Sequence, residues 1–363
     1  MQIFDTLAST GHEQVLFCQD PGAGYRAILA IHSTVLGPAI GGTRVLRYAD
    51  EAQALDDALR LSAGMTYKNA LAGMPAGGGK AVILLGDAPP DREALFRAHG
   101  RFIERLGGTF ITGEDVGTSP ADMEFIRRET RHVKGLPDGM GDPSPWTARG
   151  VFQAMRAAAH WRWGSADLAG KRVALQGCGH VGAPLARALS EAGARLVVAD
   201  VDAARAEVVA RETGAEVTTP ASIARVSADI FAPCALGAVL DDASIPDLQV
   251  EVVVGAANNQ LRAPRHADAL AARGILYIPD YMANAGGVLS GGVDLFDWPR
   301  SEMQRRVDGI HDTVLAILES AVSEGILPSV AADRIAERRI EEGRQRRSAP
   351  PAGALNAPSG GAG

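Results

Sequence analysis

A chain of 363 residues is long enough for about two domains with full-sized cores. Hydrophobic residues make up 46% of it and charged residues 22%, with a formal net charge of −7; this globular composition excludes disordered and collagen-like chains and offers no bulk attraction for nucleic acid or anionic lipid. Of its 36 basic residues only four are lysines (Lys68, Lys80, Lys134 and Lys171) and 32 are arginines, so each lysine marks a place to ask whether chemistry needs an amine that can lose its proton.

The opening segment MQIFDTLASTGHEQ has no basic leader, and no apolar run approaches the roughly 18 residues of a membrane span. The three cysteines, Cys18, Cys178 and Cys234, are widely spaced, with no CxxC motif and no Cys/His cluster. A cytoplasmic protein is expected, with no metal site and no membrane or nucleic-acid partner.

The first third alternates apolar strand-like runs at 26–32, 81–85 and 109–112 with helix-like stretches, which is the α/β pattern. Asp50 suits the N-cap of a helix that presents Ala52, Leu55, Leu59 and Met65 and carries the chain to Lys68. The run GGG at 77–79 reads as a turn before the strand that Lys80 enters. A helix end, that turn and a strand start bring both amines toward one cleft, where repulsion and burial lower at least one pKa from about 10.4. Asp115, in the glycine-flanked loop TGEDVGT, supplies a carboxylate able to pair with a lysine. The loop GLPDGMGDPSPW at 135–146 then marks a boundary between a first domain over 1–135 and a second over 140–324.

Beyond it, KRVALQG, ARLVVAD, ADIFAPC, VEVVVGAA and GILYIPD read as buried strands of a doubly wound parallel sheet. GCGHVG at 177–182 follows the first of these strands and opens a helix, and Asp200 ends the next strand, which completes a dinucleotide fingerprint. Gly177 permits the tight turn, Gly179 lets backbone approach a pyrophosphate, and Gly182 lets the helix pack closely, while the loop through His180 and Val181 offers helix N-terminal N–H groups. Asp200 would accept from ribose hydroxyls and repel a 2′-phosphate, which favours NAD over NADP, with Arg205 nearby as an opposing cation.

AANNQL at 256–261 and NAGG at 284–287 fall where strands of such a sheet end. There Asn258 or Asn259 is suited to a nicotinamide carboxamide, and Asn284 to cofactor or substrate. A helical pattern runs from Ser301 to about Glu324 through Met303, Val307, Ile310, Val314, Ile317 and Leu318. Helices over 325–347 are expected to return to the first domain, and the Pro/Gly/Ala-rich stretch 348–363 to form a flexible tail. A cationic anchor, a tunable amine, a carboxylate and a nicotinamide site together point to dehydrogenation of a substrate that carries its own carboxylate.

GPAIGGTR at 37–44, GMTYKNALAG at 64–73, GGGKAVI at 77–83, TGEDVGT at 112–118, FAPCALG at 231–237, AANNQL and NAGGV at 284–288 resemble the motifs of the glutamate/leucine/phenylalanine/valine dehydrogenases, in the branch acting on hydrophobic amino acids. The resemblance implies an N-terminal α/β substrate and oligomerisation domain, a Rossmann dinucleotide-binding domain, and an active-site cleft between them. It also implies NAD-dependent, reversible conversion of an L-amino acid to its 2-oxo acid and ammonia, in a homo-oligomer with an even number of subunits. In those terms Lys68 holds the substrate carboxylate, Lys80 activates water, and Asp115 shuttles protons on the substrate nitrogen. Gly41, Gly42, Gly113, Asn284, Val288 and Gly291 belong to the substrate pocket, and Thr147 and Ala235 join the cofactor contacts.

Gly113 and Gly291 suggest room for an aromatic side chain, whereas Val288 and the wording of the chain as a whole favour leucine, valine or isoleucine. Phenylalanine is thus the alternative substrate, and a non-catalytic NAD-binding protein the alternative class. Lys134 and Lys171 are assigned no role beyond surface charge.

Overall fold

The computed structural model describes residues 3–87, 91–136 and 139–348. After helix α1 (Ile3–Thr10), strands β1 (Gln14–Asp20) and β2 (Tyr25–Ser33) form a hairpin. Its turn is closed by Asp20, whose carboxylate accepts from Ala23 N–H, and by Gly24 at φ +60°. Strands β3 (Ala39–Ile40), β4 (Thr43–Leu46), β5 (Gly77–Leu84) and β6 (Phe110–Ile111) complete a six-stranded mixed sheet. β5 pairs antiparallel with β2 on one side; on the other it pairs parallel with β3 and then β4, two short strands separated by Gly41–Gly42.

Alternation along the strands feeds a core on each face. Ile28, Ala30 and Val82 pack toward helix α2 (Glu51–Leu71), while Leu29, Ile31, Ala81 and Ile83 pack toward α3 (Arg92–Glu104) and α4 (Pro120–Arg127). Asp50 caps α2 as expected, accepting from Gln53 N–H at 2.8 Å. The buried stripe of α2 differs from the expected one: Ala54, Leu55, Ala58 and Leu59 face the sheet and Ala52 faces solvent. The small alanines let the helix lie close to the strands. The helix also runs on past Lys68 to Leu71.

The GGG run is strand rather than turn. All three glycines lie in β5, and each omits a side chain where another element passes. A Cβ on Gly77 would fall 1.8 Å from the Ser33 carbonyl oxygen, one on Gly78 would fall 2.1 Å from the Thr66 backbone nitrogen, and one on Gly79 would fall 2.7 Å from the Phe110 ring.

Helix α5 (Ser144–Trp163) leads into the second sheet, formed by β7 (Arg172–Gln176), β8 (Arg195–Ala199), β9 (Glu216–Val217), β10 (Ile230–Pro233), β11 (Val252–Val253) and β12 (Leu276–Tyr277). All its pairs are parallel and the order is β12-β11-β10-β7-β8-β9, with α6 (Gly182–Glu191), α7 (Ala203–Thr213) and α8 (Arg265–Ala272) as crossovers. Strand order reverses between β7 and β10, the point at which such sheets open a ligand crevice beyond their carboxyl ends. β9 was not expected, because both of its residues are exposed and it lacks an apolar run.

The chain then passes through α9 (Asp280–Ala283), α10 (Gly286–Ser290) and α11 (Gly292–Phe296) to α12 (Arg300–Asp308), α13 (Ile310–Glu324) and α14 (Pro328–Ser348). The expected helix over 301–324 is thus two helices meeting at Gly309, although all six of its apolar positions are buried. α14 packs back on α2, where the Arg339 guanidinium donates to the carbonyls of Ala70 and Leu71 and so satisfies acceptors at the helix end. Ser348 closes α14; the rest of the tail expected from 348 on, like 137–138 of the boundary loop, lies outside the described residues. No single helix among the described residues is long and apolar enough to cross a membrane.

Candidate active site

A cleft of about 420 Å³ is lined by Lys68, Lys80 and Asp115 from the first domain and by Asn258, Asn259 and Asp280 from the second. Its first wall follows from the glycines. With no side chain on Gly78, α2 presses against β5, which sets the last turn of the helix, with Lys68, beside the strand that carries Lys80. Gly41 and Gly42 act similarly: a Cβ on Gly41 would lie 1.7 Å from the Gly79 carbonyl oxygen, and one on Gly42 would lie 2.8 Å from Asp115 Cβ. Their contribution is to let the Lys80 strand and the Asp115 loop close on each other.

Lys80 Nζ stands 2.8 Å from Asp115 Oδ2 and is buried, with 6% of its side chain exposed. Burial pulls the amine below the ordinary lysine range, and Asp115 opposes that shift. Burial works to raise the Asp115 carboxyl, but Lys80 and Arg44 outweigh it and hold the group ionised, below the usual carboxylate range. Arg44 Nε bonds Asp115 Oδ2 at 2.9 Å, and its Nη1 bonds Asp57 Oδ2 at 3.0 Å. Asp57 also accepts from Tyr48 Oη at 2.8 Å. The Lys80–Asp115 pair is therefore braced by Arg44, which the sequence alone does not single out although it ends the motif GPAIGGTR.

Lys68 Nζ donates to Asn284 Oδ1 across the cleft at 2.6 Å, with no carboxylate among the described residues in ion-pair contact. Asn284 Nδ2 donates onward to Asn258 Oδ1 at 2.8 Å and to the Ala256 carbonyl at 3.0 Å. Burial lowers the Lys68 amine to about 8, against the opposing pull of Asp280, and the neighbouring Lys134 and Lys80 charges lower it further. Asp280 is itself buried and its carboxyl is raised by burial, while it accepts from Gln260 N–H at 2.8 Å.

Lys134 is not the surface charge expected of it. Its N–H bonds the Thr112 carbonyl at 2.9 Å, which lays the side chain across Gly113 and toward Gly291. A Cβ on Gly113 would lie 2.9 Å from Lys134 Cγ, and one on Gly291 would lie 3.6 Å from Nζ. The space that these two glycines seemed to leave for an aromatic ring is thus taken by a lysine stem. Burial lowers this amine to about 8, Asp294 opposes the shift, and Lys80 adds to it. Lys171, by contrast, lies over the Trp163 ring at 3.7 Å and near Asp229, in the second domain.

The strand, loop and helix around 177–182 have the shape that a dinucleotide needs. Gly177 sits at φ +101°, and a Cβ on Gly182 would lie 1.8 Å from the Gly177 carbonyl oxygen, so turn and helix interlock through the two glycines. A Cβ on Gly179 would meet nothing within 4 Å, which leaves the face where a pyrophosphate would lie clear of protein. No side chain caps the N-terminus of α6, and His180 beside it is exposed. Asp200 receives Cys178 N–H at 2.7 Å and Asp202 N–H at 2.8 Å, tying its carboxylate to the loop. Arg205 is paired with Asp202 at 3.3 Å.

The remaining expected residues distribute around this crevice. Ala235 packs on Gly177, Thr147 packs on Gly287 from the first turn of α5, and Asn259 takes φ +52° with its carbonyl accepting from Ala238. Val288 is buried in α10, and Gly291 ends that helix. Among the described residues no group of three or more His, Cys, Asp or Glu side chains converges as a metal site.

Comparison with known proteins agrees with this geometry. A family model described as "Glu/Leu/Phe/Val dehydrogenase, dimerisation domain" matches residues 12–132, and one described as "Glutamate/Leucine/Phenylalanine/Valine dehydrogenase" matches 198–347. The chain is 49% identical to a leucine dehydrogenase of Thermoactinomyces intermedius, covering 96% of each, and 48% identical to a valine dehydrogenase of Streptomyces virginiae, covering 92% of this chain and 95% of that one. The crystal structure of L-tryptophan dehydrogenase from Nostoc punctiforme superposes with a TM-score of 0.85 at 47% identity, over 94% of this chain and 99% of that one.

Proposed function

The chain belongs to the glutamate/leucine/phenylalanine/valine dehydrogenase family, and from that premise we propose that it catalyses the NAD-dependent, reversible oxidative deamination of a hydrophobic L-amino acid to its 2-oxo acid and ammonia. Leucine, valine and isoleucine come first and phenylalanine second. The observation that carries the reading is the buried Lys80–Asp115 pair beside Lys68 on one wall of a cleft whose other wall carries Asn258 and Asn259.

Lys68, protonated, holds the substrate carboxylate; the amide oxygen of Asn284 marks the direction in which its N–H groups point. Asp115 takes a proton from the substrate ammonium, and a nicotinamide held in the crevice would accept the hydride that then leaves the substrate Cα. The iminium carbon left behind is attacked by water, whose proton passes to neutral Lys80 as the C–O bond forms. Burial favours that neutral amine, and a guanidinium could not take its place. Asp115 returns the proton it took from the substrate ammonium to the carbinolamine nitrogen, the C–N bond breaks as the carbonyl forms, ammonia leaves, and the hydroxyl proton passes to the freed Asp115 carboxylate. Arg44 and Lys80 keep Asp115 ionised, ready to receive the proton it hands on.

The backbone of Gly177, Gly179, Val181 and Gly182 would hold the pyrophosphate. Asp200 would hold the ribose, with His180, Thr147, Ala235, Asn258 and Asn259 around the cofactor. NAD is favoured over NADP because a carboxylate at Asp200, tied to the glycine loop through Cys178 N–H, would repel a 2′-phosphate, and Arg205 is engaged by Asp202. The same reading includes an even-numbered homo-oligomer built through the N-terminal domain and a cytoplasmic location, with all three cysteines free.

The test is reduction of NAD and of NADP over a panel of L-amino acids, with ammonia release recorded in parallel. Turnover of leucine, valine or isoleucine with NAD and stoichiometric ammonia is expected. No turnover on any aliphatic or aromatic amino acid would overturn the assignment.

A further inference from the structure

Lys68 and Lys80 line the cleft and take part in the proposed reaction; a third buried lysine, Lys134, stands near them. Lys134 lies within electrostatic reach of both Lys68 and Lys80, yet among the described residues no hydrogen bond or ion pair holds its ammonium. The opposing charge that acts on it is Asp294, whose carboxylate accepts from Met140 N–H at 3.0 Å. The charged end is therefore drawn toward Gly291 and Asp294, and the methylenes lie over Gly113.

The wall where this stem lies is the one left for a substrate side chain. With the carboxylate on Lys68 and the reacting carbon at Lys80 and Asp115, two directions from Cα are taken. A third would be taken by a nicotinamide held at the strand ends of the second domain. Gly113, Val288 and Gly291, which the dehydrogenase reading assigns to the substrate side chain, meet at this stem: a Cβ on Gly113 would lie 2.9 Å from Lys134 Cγ, and one on Gly291 would lie 3.3 Å from the Val288 carbonyl oxygen and 3.6 Å from Lys134 Nζ.

We propose that Lys134 sets side-chain specificity: its four-carbon stem occupies the volume left by Gly113 and Gly291, so that the cleft admits a branched aliphatic side chain and shuts out an aromatic ring. The inference rests on the amino acid dehydrogenase reading and adds to it the residue that decides between its two substrate groups. It also reverses what the two glycines suggest on their own. Gly113 and Gly291 are small because a lysine crosses them, and the pocket they border is shallower than their composition implies.

The experiment compares kcat/KM for leucine and phenylalanine in the wild type, Lys134→Ala and Lys134→Met. Removing the stem frees more than one methylene of space, so Lys134→Ala should raise the phenylalanine-to-leucine ratio by about tenfold or more. Lys134→Met keeps most of the stem and loses the charge, and its ratio should stay within about threefold of the wild type. An unchanged ratio in Lys134→Ala, or a shift in Lys134→Met as large as that in Lys134→Ala, would overturn the proposal, the second outcome by showing that charge and not bulk decides.

Equilibrium binding of the 2-oxo acids of leucine and phenylalanine, followed by intrinsic fluorescence in the presence of NADH, reads the same ratio without turnover. A chain inactive on every amino acid would thus defeat the proposed activity and leave the pocket still measurable.

Discussion

In the first domain a Cβ on Gly78 would sit 2.1 Å from the backbone nitrogen of Thr66, whereas in the second a Cβ on Gly179 would meet nothing within 4 Å. Both residues belong to glycine-rich runs that adjoin an apolar run in sequence, and there the two look alike. One run is filled by the protein itself: β2, α2 and Phe110 come in against Gly77, Gly78 and Gly79, and that approach brings Lys68 toward Lys80. The other run is filled by protein only at its ends, Gly177 and Gly182, and is left clear in the middle. A glycine that the fold needs and a glycine that a ligand needs are told apart by what stands where the side chain would be.

The largest effect should come from the residue that the packed run delivers. Lys80→Arg keeps the positive charge and abolishes the amine, so turnover should fall by about 10³-fold or more while NAD affinity, measured by fluorescence titration, is retained. Near-normal turnover would show that the packed run does not position a base. In the intact enzyme the same amine must be neutral to act. With its pKa lowered by burial, kcat should rise with pH and level off below the ordinary lysine value of about 10.4. Lys68 must instead be protonated to hold a carboxylate, so KM should rise as pH passes about 8. The two amines interact, and the profile will report them as a coupled set.

Gly78→Ala comes next. The added methyl meets the backbone of α2, which cannot swing aside as a side-chain end can, so unfolding free energy from denaturant titration should drop by about 3 kcal/mol. A drop well under 1 kcal/mol would mean that helix and strand are not locked together there. The smallest effect on folding belongs to Gly179→Ala. Its methyl points into open space, so stability should stay within about 0.5 kcal/mol of the wild type while NAD affinity falls by about tenfold, the reverse of the Gly78 pattern. Equal loss of stability at both positions would erase the contrast between the runs.

Much of this was legible before any coordinates. The period-2 and period-3.6 patterns placed the principal strands and helices, Asp50 announced α2, and the fingerprint 177–182 with Asp200 carried its own geometry because every part of it is local. Lysine scarcity drew attention to Lys68 and Lys80, since an arginine-rich chain has little other reason to keep an amine. It marked Lys134 equally, and the hint was passed over because no motif surrounded that residue.

What the sequence determined by itself, then, is the chemistry available along the chain: an amine here, a carboxylate in a glycine-flanked loop there, and a glycine turn of the dinucleotide-fingerprint form with its acid. What only the tertiary structure decided is which of these groups meet. Asp115 finds Arg44, which lies 71 residues away, and Lys68 finds Asn284, 216 residues away. The lysine at 134 fills the room that two distant glycines appear to leave, and a GGG run that reads as a turn becomes a strand because three neighbours press against it. Local periodicity records the energy of one segment against water. These contacts depend on the summed packing of segments far apart in sequence, which no local pattern encodes.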